Sequence, residues 1–254
     1  MKITVITFFG LFASFMLFSQ NYSRLSFEFG CSKNHFTMSN LNQFYIDSFA
    51  IKNKMLEKEI SSGNHFFIGL KYRPNSLFDF GIYGNYQFGK TVGKPEFVVT
   101  DEFGNQIGSR ELDFILTTEA IGFGISSCWY ISHFLKFHEK ENTFLNSFHI
   151  GIDMNAGIGY SKSIVDLRDP EFANASTYDY FTSKDFQGQV SLKFEYDYLK
   201  SPVISSIGIK GGYQYFKTKT VKSRQGNDWI IKGEYPINLD FSGFFGAVYI
   251  TIGK

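Results

Sequence analysis

Residues 148–160, "FHIGIDMNAGIGY", place Phe148, Ile150, Ile152, Met154, Ala156, Ile158 and Tyr160 at every second position. Between them stand His149, Gly151, Asp153, Asn155, Gly157 and Gly159. A period of two is that of a β-strand with two unlike faces. About eight segments of the chain carry it. The first is Tyr22–Gly30, with Leu25, Phe27 and Phe29 against Arg24, Ser26 and Glu28; the second is His65–Arg73, with Phe66, Ile68, Leu70 and Tyr72 against His65, Gly69, Lys71 and Arg73. After the turn "RPNSLF" comes Leu77–Gly89, where Phe78, Phe80, Ile82, Tyr86 and Phe88 oppose Asp79, Gly81, Asn85 and Gln87.

The fourth segment, from about Leu112 to Ile131, changes phase. Its first half is apolar at Leu112, Phe114 and Leu116, its second at Ile121, Phe123, Ile125 and Trp129. A bulge near residues 117–120 is the expected reconciliation. The fifth is the opening stretch. The sixth, Phe186–Leu199, sets Val190, Leu192, Phe194, Tyr196 and Tyr198 against Gln189, Ser191, Lys193, Glu195 and Asp197, and ends at "KSP". The seventh, Val203–Thr218, sets Ile207, Ile209, Tyr213 and Tyr215 against Ser206, Gly208, Lys210 and Gln214. The eighth, Phe241–Gly253, sets Phe244, Val248, Ile250 and Ile252 against Ala247, Tyr249 and Thr251. Connectors of about 34, 22, 25 and 22 residues alternate with shorter ones, apart from residues 132–146. That is the pattern of an up-and-down meander with its long loops at one end.

The N-terminus "MKITVITFFGLFASFMLFSQ" carries Lys2 and then an apolar run to Phe18, the layout of a cleavable secretory leader over residues 1–19, with the mature chain at 20–254. Without Lys2 the mature chain holds 24 basic and 24 acidic residues. It has neither a basic field nor a motif for nucleic acid. The two cysteines, Cys31 and Cys128, fall at opposite ends of the strand map and are read as free thiols.

Composition bears on which face is wet. Aromatic residues make up 19% of the chain, with 31 Phe and 15 Tyr, more than a soluble core requires. Many stand near strand ends on the apolar face, where amphipathic rings favour a membrane–water interface. The polar face is rich in glycine and in charges of both signs: Arg24, Glu28, Lys71, Arg73, Asp79, Asp153, Lys193, Glu195 and Lys210. This suits a narrow interior of paired groups. A soluble lipocalin-like barrel shares the alternation, with the faces reversed.

With its leader, eight two-faced segments, alternating loop lengths and final amphipathic strand, the chain resembles the small eight-stranded outer-membrane β-barrel proteins of Gram-negative bacteria, including the porin-like or PorT-like barrel domains. The resemblance covers residues 22–253. One departure is the ending "YITIGK", where such proteins often close on an aromatic residue. It implies an all-β, eight-stranded antiparallel up-and-down transmembrane barrel with long external loops and short periplasmic turns, resident in the outer membrane after leader cleavage. Outer-membrane lipid is then the first partner, with an extracellular or envelope protein reached through the loops.

No catalytic residue, metal ligand or cofactor site is assigned. His149 and Asp153 share a face but lie roughly 13 Å apart along one strand, too far to hydrogen-bond. His133, His138, Glu139 and Glu141 in "SHFLKFHEKEN" read as a solvated turn, and Asp166, Asp169 and Glu171 as loop acids. In the first long loop, Phe49, Ile51, Met55, Leu56 and Ile60 fit a short amphipathic helix that caps the barrel mouth, meets a partner or packs on neighbouring loops. Three functions stay open: a structural or interaction barrel with a charge-plugged interior, a narrow porin-like channel or carrier for small or apolar solutes, and a soluble secreted barrel.

Overall fold

The computed structural model describes residues 24–51, 55–139, 143–169, 177–197, 204–231 and 233–253. The leader at 1–19, Tyr22, Glu141, Glu171, Tyr198, Leu199 and the "KSP" turn lie outside them, as do the side chains of Arg24, Phe49 and His138. Eight long strands form the wall: β1 (Arg24–His35), β2 (Ser62–Arg73), β3 (Phe78–Gly93), β4 (Asp113–Tyr130), β5 (Phe148–Arg168), β6 (Thr177–Asp197), β7 (Ile204–Thr220) and β8 (Gly243–Gly253). Each is antiparallel to its sequence neighbour, and β1 pairs with β8 from Ser26↔Gly253 to Asn34↔Phe245. The sheet therefore closes, and each of the eight strands pairs with a neighbour on both sides. The protein is an all-β, eight-stranded, antiparallel up-and-down barrel of the transmembrane type.

Alternation sets the faces. On β5, Asp153, Asn155, Ser161 and Ser163 are buried inside, whereas Met154, Ile158 and Tyr160 are exposed outside. Phe123, Ile125 and Ile158 are 68%, 68% and 67% exposed, while Glu28, Asp153 and Lys193 are at most 2% exposed. Interior glycines act as sockets for large neighbours. A Cβ on Gly159 would lie 2.5 Å from the Phe216 ring, and one on Gly208 would lie 2.3 Å from the Tyr249 ring.

Three expectations are corrected. There is no bulge at 117–120, because β4 keeps one register with β3 from Phe78↔Trp129 to Gly93↔Phe114, and with β5 throughout. Phe114 and Leu116 point inward together with Ser126 and Cys128, so it is the interior that changes from polar to apolar. The predicted 25-residue loop between β5 and β6 is mostly paired strand: the ladder runs without a break from Phe148↔Tyr196 to Leu167↔Thr177. The first-loop helix spans Leu41–Ile51 and is π-helical, so Met55, Leu56 and Ile60 follow it rather than belong to it.

Turns at the other end are compact. The Asn75 side chain accepts from the backbone N–H groups of Leu77 (2.9 Å) and Phe78 (3.2 Å), an Asx-type closure of the β2–β3 turn. The longer β4–β5 turn holds short helical pieces at Ile131–Phe134, Phe137–Glu139 and Thr143–Asn146. His133 Nδ1 there lies 2.8 Å from Ser76 Oγ, which ties the two turns together.

Candidate functional site: the barrel interior

The interior is layered. Nearest the short turns lies an ionic layer of four carboxylates, Glu28, Asp79, Asp153 and Glu195, and four cations, Lys71, Arg73, Lys193 and Lys210, with no net charge between them. Period-two geometry aims all eight inward from six different strands. Glu28 is central, with Lys193 and Lys210 each at 2.9 Å and Lys71 at 3.2 Å. Asp153 holds Lys71 at 2.8 Å and Lys210 at 3.3 Å. Glu195 holds Lys193 at 2.9 Å and accepts from Ser206 at 2.7 Å.

Arg73 and Asp79, which flank the β2–β3 turn, approach to 3.8 Å; Arg73 also reaches Glu195 at 3.5 Å. Tyr130 joins this corner: its hydroxyl donates to Asp79 at 2.7 Å and accepts from Arg73. Sequence alternation did not single out Tyr130, because it closes β4 where the turn begins. Its signal was parity with Ser126 and Cys128 on the inward face. A lone buried charge is costly, and the burial is offset here because each charge has a partner of opposite sign.

His149 lies at the end of this layer. Its Nε2 is 3.2 Å from Asp197, and its ring stands edge-on to Tyr130 at 5.9 Å. Cys128 is buried beside this layer; Cys31 is exposed on the outer face of β1, opposite Val248 and Phe66, and both are free thiols.

Above the ions comes a layer of amides. Gln87 Oε1 accepts from Asn34 (3.1 Å) and Gln214 (2.9 Å), and Gln187 donates to the Tyr83 hydroxyl at 2.7 Å. Ser32 Oγ donates to Asn34 at 2.7 Å and lies 2.7 Å from His65 Nδ1.

The top layer is apolar and comes largely from the first loop. Met38, Leu41, Ile46, Ala50, Leu56 and Ile60 pack on the inward faces of Phe114, Leu116 and Phe216 and on Ile237, Leu239 and Phe241. Asn42 clamps the loop by exchanging two 3.1 Å hydrogen bonds with the backbone of Ile60. Trp229 stacks on Phe181 at 4.1 Å and meets Tyr45 edge-on at 4.9 Å. Burial raises the Tyr45 phenol to about 12. Of the roles open to this loop, it takes that of a cap that also packs on its neighbours.

Beyond the rim the β3–β4 pair resumes as a two-stranded ribbon, Glu96–Thr100 with Gln106–Glu111, in the same register up to Val99↔Gly108 and shifted by one residue at Thr100↔Gln106. Val98, Phe103 and Ile107 are exposed on it, and Arg110 is 2.5 Å from Asp169 at its base. Among the described residues no group of His, Cys, Asp or Glu forms a metal cluster.

No protein-family profile matches the chain, and no curated protein resembles it significantly in sequence. Among solved structures, it is similar to Neisserial surface protein A, NspA, at 12% identity and TM-score 0.37, over 91% of this chain and 97% of that one. It is also similar to Ail, the attachment invasion locus protein of Yersinia pestis, solved with the heparin analogue sucrose octasulfate, at 11% identity and TM-score 0.33, over 91% and 96% of the two chains. At such values the fold assignment rests on the chain's own strand ladders.

Proposed function

We propose that this chain is an integral outer-membrane barrel of a Gram-negative envelope, exported by the leader at 1–19, and that it works as a non-catalytic structural or interaction barrel. The observation that carries the reading is the double closure of the interior. The ionic layer fills the barrel at the level of Asp153, and the first loop fills it again at the level of Leu116. Eight-stranded barrels are just wide enough for side chains to fill.

The exposed outer belt supports a lipid surrounding. A continuous apolar wall of this extent is foreign to a soluble monomer, and aromatic residues border it at both rims: Tyr72, Phe78, Trp129, Phe148 and Tyr196 at one, Tyr160 and Tyr215 at the other. With the interior closed, interaction falls to the loops. The ribbon bearing Val98, Phe103 and Ile107 is their most exposed apolar part. Planar-bilayer recording of the purified mature protein tests the closure. No conductance above the bare bilayer is expected; reproducible ohmic steps would put the narrow channel in its place.

A further inference from the structure

His65 is 1% exposed on the inward face of β2, in the amide layer under the apolar cap. Its Nδ1 lies 2.7 Å from Ser32 Oγ, and its Nε2 has no hydrogen-bond partner among the described residues. Protonation gives both ring nitrogens an N–H, and the one at Nε2 then has no acceptor. The residues opposite it in the ladder, Ser32 on β1 and Gln87 on β3, are neutral, as are Asn34 and Asn85 next to them. The charge that reaches it is that of Lys210. Its Nζ lies 3.9 Å from the centre of the Phe67 ring, which is 5.7 Å from the His65 ring. An imidazolium would therefore be buried beside a cation and short of an acceptor.

Hydrogen bonds join His65 to the cap. Ser32 donates to Asn34 at 2.7 Å, and Asn34 and Gln214 both donate to Gln87 Oε1. Gln214 also donates to the Phe241 carbonyl at 3.1 Å. The Phe241 ring stacks on Phe216 and stands edge-on to Phe36, where the first loop begins. Along this chain and beside it, Gln87 Nε2, Gln214 Oε1 and Asn85 Oδ1 are buried without a partner. Water admitted at the loop end would solvate these atoms together with Nε2.

We propose that the first loop is an acid-opened cap: protonation of His65 releases residues 36–61 from the barrel mouth and opens the amide layer to solvent. The proposal rests on the reading above in which this loop seals the mouth. A solvated imidazole takes up its proton near pH 6.5, whereas the closed layer has nothing to offer the charge. Opening is therefore favoured as the pH falls below that value. Asp47 and Glu59, within the loop, act in the opposite direction. Desolvation and the Asp47 carboxylate raise Glu59, so acid tightens that pair in the closed loop.

Thiol trapping tests the cap. Ala50 is fully buried in it, and Ala50→Cys places a reactive group there in a Cys31→Ser background. The refolded mature chain in neutral detergent is treated with an aromatic disulfide reagent at about pH 7.5 and about pH 5, on either side of the histidine range. Peptide mass reads position 50. Each rate is divided by that of the urea-unfolded chain at the same pH, which cancels the chemistry of the thiol itself. The quotient is expected to be far below one at the higher pH and to rise about thirtyfold at the lower. His65→Gln, which hydrogen-bonds but does not titrate, should abolish the rise, and His149→Gln should leave it. If His65→Gln does not fold, His65→Asn is read the same way. A low quotient that stays unchanged with pH in the parent overturns the inference alone, whether or not the variants fold. So does a rise that persists in the His65 variant. A quotient near one already at the higher pH would show that the loop does not seal the mouth, and would overturn both readings.

Discussion

Lys193 and Lys210 stand directly opposite each other in the β6–β7 ladder, and both reach Glu28 on β1 at 2.9 Å. A like-charged cross-strand pair is repulsive by itself. It persists here because a carboxylate from across the barrel lies between the two ammonium groups. The ionic layer therefore joins strands that are far apart in sequence.

Glu28→Gln should destabilise the barrel strongly, because it removes the common partner of Lys71, Lys193 and Lys210. Removing one member of a buried pair costs about 3–5 kcal/mol. Urea unfolding in detergent, followed by gel mobility, should show a midpoint well below that of the parent. Asp153→Leu should act in the same direction by stranding Lys71 and Lys210.

Ile125→Lys separates lipid from water on the outer wall. Ile125 is 68% exposed, so in a soluble barrel the change would cost almost nothing. In a bilayer it places a charge near the midplane, at about 2–4 kcal/mol. Unfolding in lipid vesicles should read that loss, and the same variant in detergent should lose less.

The apolar cap predicts a cavity effect. Leu116 is fully buried under the first loop. Leu116→Ala should cost about 2–5 kcal/mol, and should raise proteolytic nicking within residues 36–61 before the wall itself opens. A variant with no change in stability or nicking would show that the loop does not seal the mouth.

The faces of the wall were legible in the sequence because lipid-type and interior-type residues alternate without error from Phe148 to Tyr160. Strand length was not. Above Tyr160, at the pairs Lys162↔Thr182 and Ile164↔Tyr180, apolar and polar residues no longer keep to separate faces, so the period fades although the ladder continues. The inversion at Phe114 and Leu116 resembled a bulge because alternation was read as though the interior were polar throughout. The apolar cap that packs on those positions comes from a loop far from them in sequence. Among the ionic residues, each inward direction was readable strand by strand. Which acid met which lysine depended on ring closure, which brings Glu28 of β1 to Lys193 and Lys210.

The cysteines give a check on the strand map. Cys31 is exposed and Cys128 buried, and no disulfide joins them. In the folded protein a maleimide should label Cys31 alone, and after unfolding without reductant it should label both. Labelling that requires reduction would contradict the placement of the two residues.

The two tryptophans test the central claim most directly. Trp129 is 47% exposed on the outer wall, and Trp229 is 7% exposed within the cap. Single-tryptophan variants, Trp229→Phe and Trp129→Phe, are reconstituted in vesicles of brominated phosphatidylcholine. An outward apolar face in lipid predicts strong quenching of Trp129 fluorescence and little quenching of Trp229. Equal, weak quenching of both, with the protein free of the vesicles, would contradict it and leave a soluble barrel.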